Sequence, residues 1–210
     1  MMELYEWPPT RSQRARWALE ELRAEYTSHL VDLLKGEQNS DEYREIHPLG
    51  VVPALTTHTY TMYESVAIVM QLIDLYPEKN LAPPVGSELR AAYYQWCIFA
   101  CAELDPAIMM VFDNTMRPLE FMRPPGSQHE ENLAEKGRYD FGVRAEMLSD
   151  QLDKRKYMLG NDFSGADIAV GHSLYMARVT GLMEEFPVLK DYYKRLRHRP
   201  CHGRIYREYE

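Results

Sequence analysis

The sequence has few cysteines and no run of apolar residues long enough to cross a membrane. Its three cysteines are an odd number, which argues against a framework of disulfide bonds. No stretch approaches the roughly 18 uninterrupted apolar residues of a membrane-spanning helix. The first residues lack the basic and apolar regions of a signal peptide. We therefore expect a cytoplasmic protein with no membrane partner.

The chain also lacks an excess of positive charge. Lysine and arginine number 24 against 32 aspartates and glutamates, and the formal net charge at pH 7 is −8. Such a balance disfavours binding to nucleic acid, which is itself a polyanion. Cys97 and Cys101 lie one helical turn apart, but no third and fourth ligand is near them in the sequence. We expect no nucleic-acid partner and no metal site.

The first eighty residues, by contrast, carry alternating strand and helix patterns. Ala15, Ala18, Leu19 and Leu22 recur at the spacing of an amphipathic helix. Similar patterns predict the order βαβαββα, with strands at 4–7, 26–33, 54–57 and 60–62 and further helices at 42–46 and 66–73. This order predicts an α/β domain over residues 1–78.

The rest of the chain has helical patterns only. Residues 79–86 contain Pro83 and Pro84 and are predicted to be a linker. Helices are then expected at 87–116, 127–156, 164–180 and 187–197. Ser164 precedes Asp167 by three residues, which is the spacing of a helix capping box. The second domain, residues 87–210, is therefore predicted to be all-α.

Several short stretches resemble the cytosolic glutathione transferases. They are RARWALEEL, VDLLKGE, HPLGVVPAL, YES, ELDPA and FSGADIAV, which occur in the family's order and spacing over essentially the whole chain. The resemblance implies a thioredoxin-like first domain, an all-helical second domain and glutathione as co-substrate. Because members of this family usually form twofold dimers, the resemblance also implies a homodimer.

Pro53 stands where the third strand should begin pairing. Proline has no backbone N–H and is costly inside a paired strand. A cis bond before proline costs only about 0.5–1 kcal/mol more than trans, so its surroundings can select it, and the resemblance implies a cis Val52–Pro53 bond. The N–H and C=O of Val52 could then pair with an extended peptide, which the resemblance implies is the cysteinyl part of glutathione. The alternative is a trans proline at the entrance of the strand.

Glu64 and Ser65 precede the apolar pattern of residues 66–73 and so lie at a helix N-terminus. The free N–H groups there attract an anion, while the Glu64 carboxylate can pair with an ammonium group. A γ-glutamyl group carries both charges on one carbon. The alternative is a purely structural helix cap, worth roughly 1 kcal/mol of stability.

Activation of the glutathione thiol is expected in the loop WPPTRSQRAR. Lowering the pKa of a thiol by one to two units from about 8.5 requires about 1.4–2.7 kcal/mol of thiolate stabilisation. In serine-type members of the family a hydroxyl residue occupies the position held here by Pro9. Thr10 is therefore our first candidate and Ser12 the second, with Arg11 as a positive charge beside the sulfur. Capping of the first helix is the alternative role for both hydroxyls.

Two positions that the resemblance places near glutathione lack the family's usual side chains. Gln38 stands where some members carry a histidine, and Val51 stands where several carry a polar residue. We therefore expect fewer contacts to the glycyl end and a weak affinity for glutathione. In the second domain, Met109, Phe112 and Met116 either pack in the core or form the pocket for the electrophile, as the resemblance implies.

These features predict a glutathione transferase that joins the glutathione thiolate to a small apolar electrophile, with detoxification as its role. Two alternatives use the same fold and thiolate, namely the reduction of disulfides or peroxides and an isomerisation that returns glutathione unchanged. A third alternative belongs to another class, a binding or scaffold protein that kept the fold and lost the chemistry.

Overall fold

The computed structural model describes residues 1–118 and 126–206. Contacts between residues divide the chain into two compact units. Unit 1 contains Met1–Val85 and the described residues from Arg197 onward, and unit 2 contains Gly86–Leu196. The predicted helical domain was 87–210, so its residues 207–210 lie outside the described part of the chain.

Unit 1 has the predicted βαβαββα order. Its elements are β1 (Met2–Glu6), α1 (Ser12–Leu22), β2 (Tyr26–Leu30), α2 (Asp41–Ile46), β3 (Ala54–Thr56), β4 (Thr61–Tyr63) and α3 (Ser65–Leu75). The strands form one sheet in the order β2-β1-β3-β4. Strands β1 and β2 are parallel, whereas β3 pairs antiparallel with both β1 and β4. This mixed sheet confirms the predicted α/β unit.

Strand β2 is shorter than the sequence predicted, because the chain turns immediately after it. The Asp32 side chain accepts hydrogen bonds from the backbone N–H groups of Leu34 (3.0 Å) and Lys35 (3.2 Å). Such a side-chain-to-backbone bond stabilises a turn and competes with strand pairing. The predicted strand at 26–33 was therefore wrong in its last residues, and β2 ends at Leu30.

The two faces of the sheet are covered by different helices of unit 1. Leu4 and Glu6 are fully buried, and an Arg16 nitrogen of α1 lies 3.4 Å from the Glu6 carboxylate. Tyr5 points the other way, where its ring centre lies 5.9 Å from that of Tyr43 on α2. This alternation is the period of two expected for a strand covered on both sides.

Unit 2 is helical, as predicted. Helix α4 (Glu88–Phe99), a π-helical turn (Ala100–Leu104) and helix α5 (Asp105–Thr115) occupy the predicted range 87–116. Helices α6 (Glu131–Leu152), α7 (Gly165–Val179) and α8 (Pro187–Arg197) follow. Helix α6 is shorter than the predicted 127–156. It ends before Lys154, whose φ of 60° lies in the left-handed region, a conformation that terminates helices.

Helix α7 forms the core of unit 2, and Asp167 holds its first turn in place. Ser164 donates to Asp167 Oδ2 through its N–H (2.8 Å) and its hydroxyl (2.9 Å). The N–H of Met158 and the hydroxyl of Tyr192 donate to Oδ1 at 2.8 and 2.7 Å. The predicted capping box is confirmed, and the same carboxylate also ties a preceding turn and helix α8 to the start of α7.

A short final helix, α9 (Pro200–Tyr206), was not predicted. It packs on α1 within unit 1. Gln13 donates to the carbonyl of Ile205 at 3.0 Å, and the ring centres of Trp17 and His202 lie 5.0 Å apart. The assignment of all residues after 86 to the helical domain is therefore corrected from Arg197 onward.

Among the described residues, one helical stretch has the length and apolar composition of a membrane span. It is Glu88–Thr115, with 28 residues, and 44% of its most apolar window is buried inside the protein. Because core helices of globular proteins pass the same test, this stretch is weak evidence for a membrane span.

Candidate functional site

The loop between β1 and α1 contains a compact network of hydroxyl groups. Ser12 is completely buried. Its Oγ lies 3.3 Å from both the N–H and the carbonyl oxygen of Trp7, and 2.8 Å from the Thr10 hydroxyl. The Ser12 N–H donates to Thr10 Oγ1 at 3.2 Å. The hydroxyls of Thr10 and Ser12 therefore hold the loop together by hydrogen bonds within it. The main role of Ser12 is to connect Trp7 to the first turn of α1.

Thr10 and Ser12 differ in how far a ligand could reach them. Thr10 is partly exposed, whereas Ser12 is enclosed by the loop. Pro9, at the position where the family carries its hydroxyl, is exposed and follows a cis Pro8–Pro9 bond. Arg11 is also exposed and occupies the N-cap position of α1. Of the two hydroxyls, Thr10 is the better placed to meet a ligand, although it also accepts the N–H bond of a helix cap.

The backbone before β3 provides a second group of polar atoms. The Val52–Pro53 bond is cis, as predicted. Within residues 1–118 and 126–206, the N–H and C=O of Val52 have no hydrogen-bond partner. The neighbouring carbonyl of Val51 differs, because it accepts the Tyr43 hydroxyl at 2.7 Å. Burial raises the pKa of Tyr43, so the phenol keeps its proton and acts as the donor. Of these two residues, Val52 presents the available backbone groups.

Glu64 lies directly beside this backbone, since the preceding Tyr63 pairs with Ala54 in the sheet. It is the N-cap residue of α3, with φ 72° and ψ 103°, and its side chain makes no capping hydrogen bond. A non-glycine residue held at such a positive φ is uncommon, and such outliers cost about 1–3 kcal/mol and cluster at ligand sites. The purely structural cap considered for this pair is therefore not what Glu64 provides.

Ser65 is buried behind Glu64 and is linked to α1. Its hydroxyl accepts a hydrogen bond of 3.3 Å from Arg14, which is itself completely buried. Arg14 was not among the predicted site residues. A charged residue among the apolar positions of α1 was the available signal, since buried charges are rare unless they are paired.

Gln38 lies against Gly50, in the segment that precedes Val51 and Val52. The φ of Gly50 is +61°, and a Cβ atom there would lie only 2.5 Å from the backbone carbonyl oxygen of Gln38. Gln38 itself is partly buried, and its amide nitrogen lies 3.5 Å from the Leu33 carbonyl. This close approach places Gln38 beside the segment that leads into Val51 and Val52. Val51 itself is 48% exposed.

His47, which the sequence predicted only as the end of a helix, is a buried residue near this backbone. It is 2% exposed, and its ring centre lies 4.7 Å from that of Tyr63. Burial lowers the pKa of His47, while the nearby Glu64 carboxylate raises it. The position before Pro48 was the only sequence signal, and it indicated a helix end rather than a buried ring.

The predicted pocket residues Met109 and Phe112 lie on α5 in unit 2, and Met116 is the C-cap residue that follows it. Met109 and Phe112 are half-buried and Met116 is 47% exposed, whereas the neighbouring Ile108 and Val111 are fully buried. The core of unit 2 is thus formed by other residues of α5. A role for Met109, Phe112 and Met116 in binding an electrophile stays a prediction.

The described residues contain no group of three or more histidine, cysteine, aspartate or glutamate side chains arranged to hold a metal. The candidate site in unit 1 instead combines hydroxyls (Thr10), unpaired backbone groups (Val52) and the start of α3 (Glu64 and Ser65). Together these groups can bind a small zwitterionic peptide through its backbone and its charged end.

Comparisons with known proteins agree with this arrangement. Residues 1–72 match the family described as "Glutathione S-transferase, N-terminal domain", and residues 104–200 match "Glutathione S-transferase, C-terminal domain". Glutathione S-transferase Z2 of Arabidopsis thaliana is 28% identical over 201 residues, which are 92% of this chain and 85% of that protein.

Two further similarities bear on the fold and on the chemistry. The solved structure of a sphingomonad glutathione S-transferase complexed with glutathione is 25% identical, with a TM-score of 0.83 over 98% of both chains. A probable maleylacetoacetate isomerase 2 of Drosophila melanogaster is 28% identical over 174 residues, 82% of this chain and 72% of that protein. The thioredoxin-like first unit and the helical second unit are those of the matched domains, and the chain belongs to the cytosolic glutathione S-transferase family.

Proposed function

We propose that this protein is a glutathione transferase that joins the glutathione thiolate to small apolar electrophiles. The observation that carries the proposal is the unpaired N–H and C=O of Val52 beside the unusual backbone of Glu64. The cysteinyl residue of glutathione would pair with Val52 as an added strand, because an extended peptide satisfies both groups at once.

The charged end of glutathione would lie at the start of α3. The Glu64 carboxylate has no capping bond to its own helix and can pair with the γ-glutamyl ammonium. The γ-glutamyl carboxylate would accept hydrogen bonds from the first N–H groups of the helix and from the Ser65 hydroxyl, where the helix dipole favours an anion. Arg14, which donates to Ser65, holds that hydroxyl in position.

The thiolate would be stabilised by Thr10. Its hydroxyl is partly exposed, and the neighbouring Ser12 keeps the loop closed through Trp7. The positive charge of the exposed Arg11 would add to this stabilisation. Attack of the thiolate on a bound electrophile forms the carbon–sulfur bond of a thioether, and the leaving group departs with the displaced electron pair.

The remaining parts of the proposal rest on the family and on the exposed face of α5. Met109, Phe112 and Met116 would contact the apolar electrophile, since methionine adapts to ligands of different shapes. Gln38 and Val51 would face the glycyl end of glutathione. A homodimer, a cytoplasmic location and a role in detoxification complete the proposal.

Isomerisation with glutathione as a recycled co-substrate is the second candidate. The similarity to a probable maleylacetoacetate isomerase favours it. Reduction of disulfides is less favoured, because the loop WPPTRSQRAR contains no cysteine that could form a mixed disulfide. If the protein is instead a non-catalytic binding or scaffold protein, we expect it to bind glutathione without turning over any substrate.

The experiment is an assay of the purified chain with glutathione and three substrates, an aryl halide, a disulfide and a cis-configured diketo acid. The proposal expects conjugation of the aryl halide. Thr10→Val should raise the pKa of the bound thiol by about one unit or more, measured from the ultraviolet absorbance of the thiolate, while Thr27→Val on exposed β2 should not change it. Failure to bind glutathione would refute the proposal. Binding without turnover of any substrate would support the scaffold alternative.

A further inference from the structure

Helix α9 is held against α1 along a single stripe of the longer helix. The stripe consists of Gln13, Trp17 and Glu21, which are spaced four residues apart and therefore share one face of α1. Arg199, which precedes α9, donates to both oxygens of the Glu21 carboxylate at 2.8 Å. The ring centres of Trp17 and His202 lie 5.0 Å apart. These two contacts hold α9 on the middle and the C-terminal end of α1, and the contact at Gln13 lies at the other end, next to the candidate thiol-activating loop.

Gln13 contacts α9 through a hydrogen bond to its backbone. The amide Nε2 donates to the Ile205 carbonyl at 3.0 Å, and both residues are buried. Because the last four carbonyls of a helix have no partner within that helix, this bond satisfies a buried acceptor near the end of α9. The amide oxygen of Gln13 accepts no hydrogen bond within residues 1–118 and 126–206. A buried polar atom without a partner costs free energy, which offsets the bond to Ile205, so stability alone does not explain a glutamine at this position.

The backbone of Gln13 connects the same residue to Thr10. Its N–H donates to the Thr10 carbonyl at 3.1 Å. The Thr10 hydroxyl is fixed in turn by Ser12, whose N–H donates to Thr10 Oγ1 at 3.2 Å and whose hydroxyl lies 2.8 Å from it. A continuous series of hydrogen bonds therefore runs from the Ile205 carbonyl of α9 through Gln13 to Thr10.

Resting on the proposed glutathione site, we infer that Gln13 is a positioning residue, which uses helix α9 to hold the Thr10 hydroxyl at the glutathione sulfur. Gln13 itself does not contact the ligand, because its side chain is buried and bonded to α9. A hydrogen bond weakens steeply when its distance or angle is lost, so a displaced Thr10 stabilises the thiolate less. The contacts proposed at Val52 and Glu64 do not depend on this anchor.

The test measures two properties of glutathione bound to the full chain. The first is the pKa of its thiol, from the ultraviolet absorbance of the thiolate. The second is its affinity by calorimetry, at a pH about one unit below that pKa, where most of the thiol is protonated. Gln13→Met replaces the amide by an apolar side chain of similar length. We expect it to raise the thiol pKa by about half a unit and to leave the affinity within about twofold of wild type. Gln13→Leu is a second apolar variant with the same expected result.

Arg199→Gln is the matched control, because it breaks a contact between α9 and α1 far from Thr10. It should lower the midpoint of thermal unfolding by at least about 2 °C, while the thiol pKa should stay within about 0.2 units of wild type. The double variant Thr10→Val with Gln13→Met tests whether Gln13 acts through Thr10. Its thiol pKa should equal that of Thr10→Val alone, since the effects of residues in one hydrogen-bond network are not additive.

Several outcomes would overturn the inference. Additive shifts in the double variant would show that Gln13 does not act through Thr10. An equal rise of the thiol pKa in Arg199→Gln would show a general effect of α9, and failure of both apolar variants to fold would show a structural role for Gln13. If Gln13→Met leaves the thiol pKa unchanged while Thr10→Val raises it, the inference fails and the proposed function stands. If neither variant raises it, the inference fails together with the assignment of Thr10, and if wild type does not bind glutathione, the proposed function fails as well.

Discussion

Removal of the Asp167 carboxylate should have a large and graded effect on stability. Asp167 is completely buried and accepts four hydrogen bonds, from Met158 N–H, Ser164 N–H, the Ser164 hydroxyl and the Tyr192 hydroxyl. Burial raises the pKa of Tyr192 well above its ordinary value, so this phenol remains a donor. Each buried donor left without an acceptor costs about 1–3 kcal/mol.

The magnitude follows from how many donors each substitution leaves unpaired. Asp167→Asn keeps one carbonyl oxygen for Met158 and Tyr192, and the Ser164 hydroxyl can turn to accept from the new amide. Only the Ser164 N–H is then unpaired, so we expect a loss of about 1–3 kcal/mol. Asp167→Ala leaves the two backbone N–H groups and the Tyr192 hydroxyl without this acceptor, and we expect a loss of at least about 3 kcal/mol.

The assay is the midpoint of thermal and urea unfolding, followed by circular dichroism. For a chain of this length 1 kcal/mol corresponds to a shift in Tm of about 2–4 °C, so Asp167→Ala should unfold at least about 6 °C below wild type. The control is Asp162→Asn, which removes the same charge from an exposed position and should change stability by less than about 0.5 kcal/mol. Hydrogen exchange at Met158 and Ser164 should accelerate. The reasoning is refuted if Asp167→Ala costs no more than Asp167→Asn or the control.

Three further predictions concern glycines and a buried acid. Gly137→Ala should lower stability by about 1–3 kcal/mol, because the new Cβ would lie 2.8 Å from a carbonyl oxygen of α5. Gly142→Ala lies on the same helix with nothing within 4 Å of the new Cβ, so it should be neutral or stabilise by up to about 1 kcal/mol. Both variants are measured by urea unfolding, and an equal change in stability in the two would contradict this reasoning. Gly50→Ala should weaken glutathione binding in calorimetry, since it displaces the backbone before Val52; unchanged affinity would argue against the site. Burial raises the pKa of Glu6, so the folded protein holds this proton more tightly than the unfolded chain, and the resulting stability is lost as the pH rises through the folded pKa. Glu6→Gln should therefore gain stability relative to wild type as the pH rises above the ordinary pKa of a glutamate carboxyl, and a constant difference in urea midpoint would count against it.

Much of the local structure could be predicted from short stretches of sequence. The helix carrying Leu19 and Leu22 and the capping box of Ser164 and Asp167 follow from constraints that act over a few residues. The cis bond before Pro53 was expected from the resemblance to the family. These predictions are confirmed. The order βαβαββα is also confirmed, because each element carries its own pattern of apolar residues.

The candidate site was only partly predictable. Thr10 was proposed as the hydroxyl nearest the position that the family resemblance assigns to Pro9. Glu64 and Ser65 were proposed from their position at a helix start together with the Val52–Pro53 pair. The buried Arg14, which donates to Ser65, joins residues 51 positions apart, and no local pattern indicates that pairing. The exposure of Met109, Phe112 and Met116 was likewise undetermined, since a helical stripe of apolar residues is compatible with a core or with a pocket.

The sequence by itself determined which segments become helices and strands and where a proline or a capping residue ends them. Only the tertiary structure decided that α9 packs on α1 and that Arg14 of α1 donates to Ser65 of α3. The physical reason is the range of the interactions. Caps, turns and the helical period depend on neighbours along the chain, whereas packing and charge pairing depend on residues that come together only when the whole unit has folded.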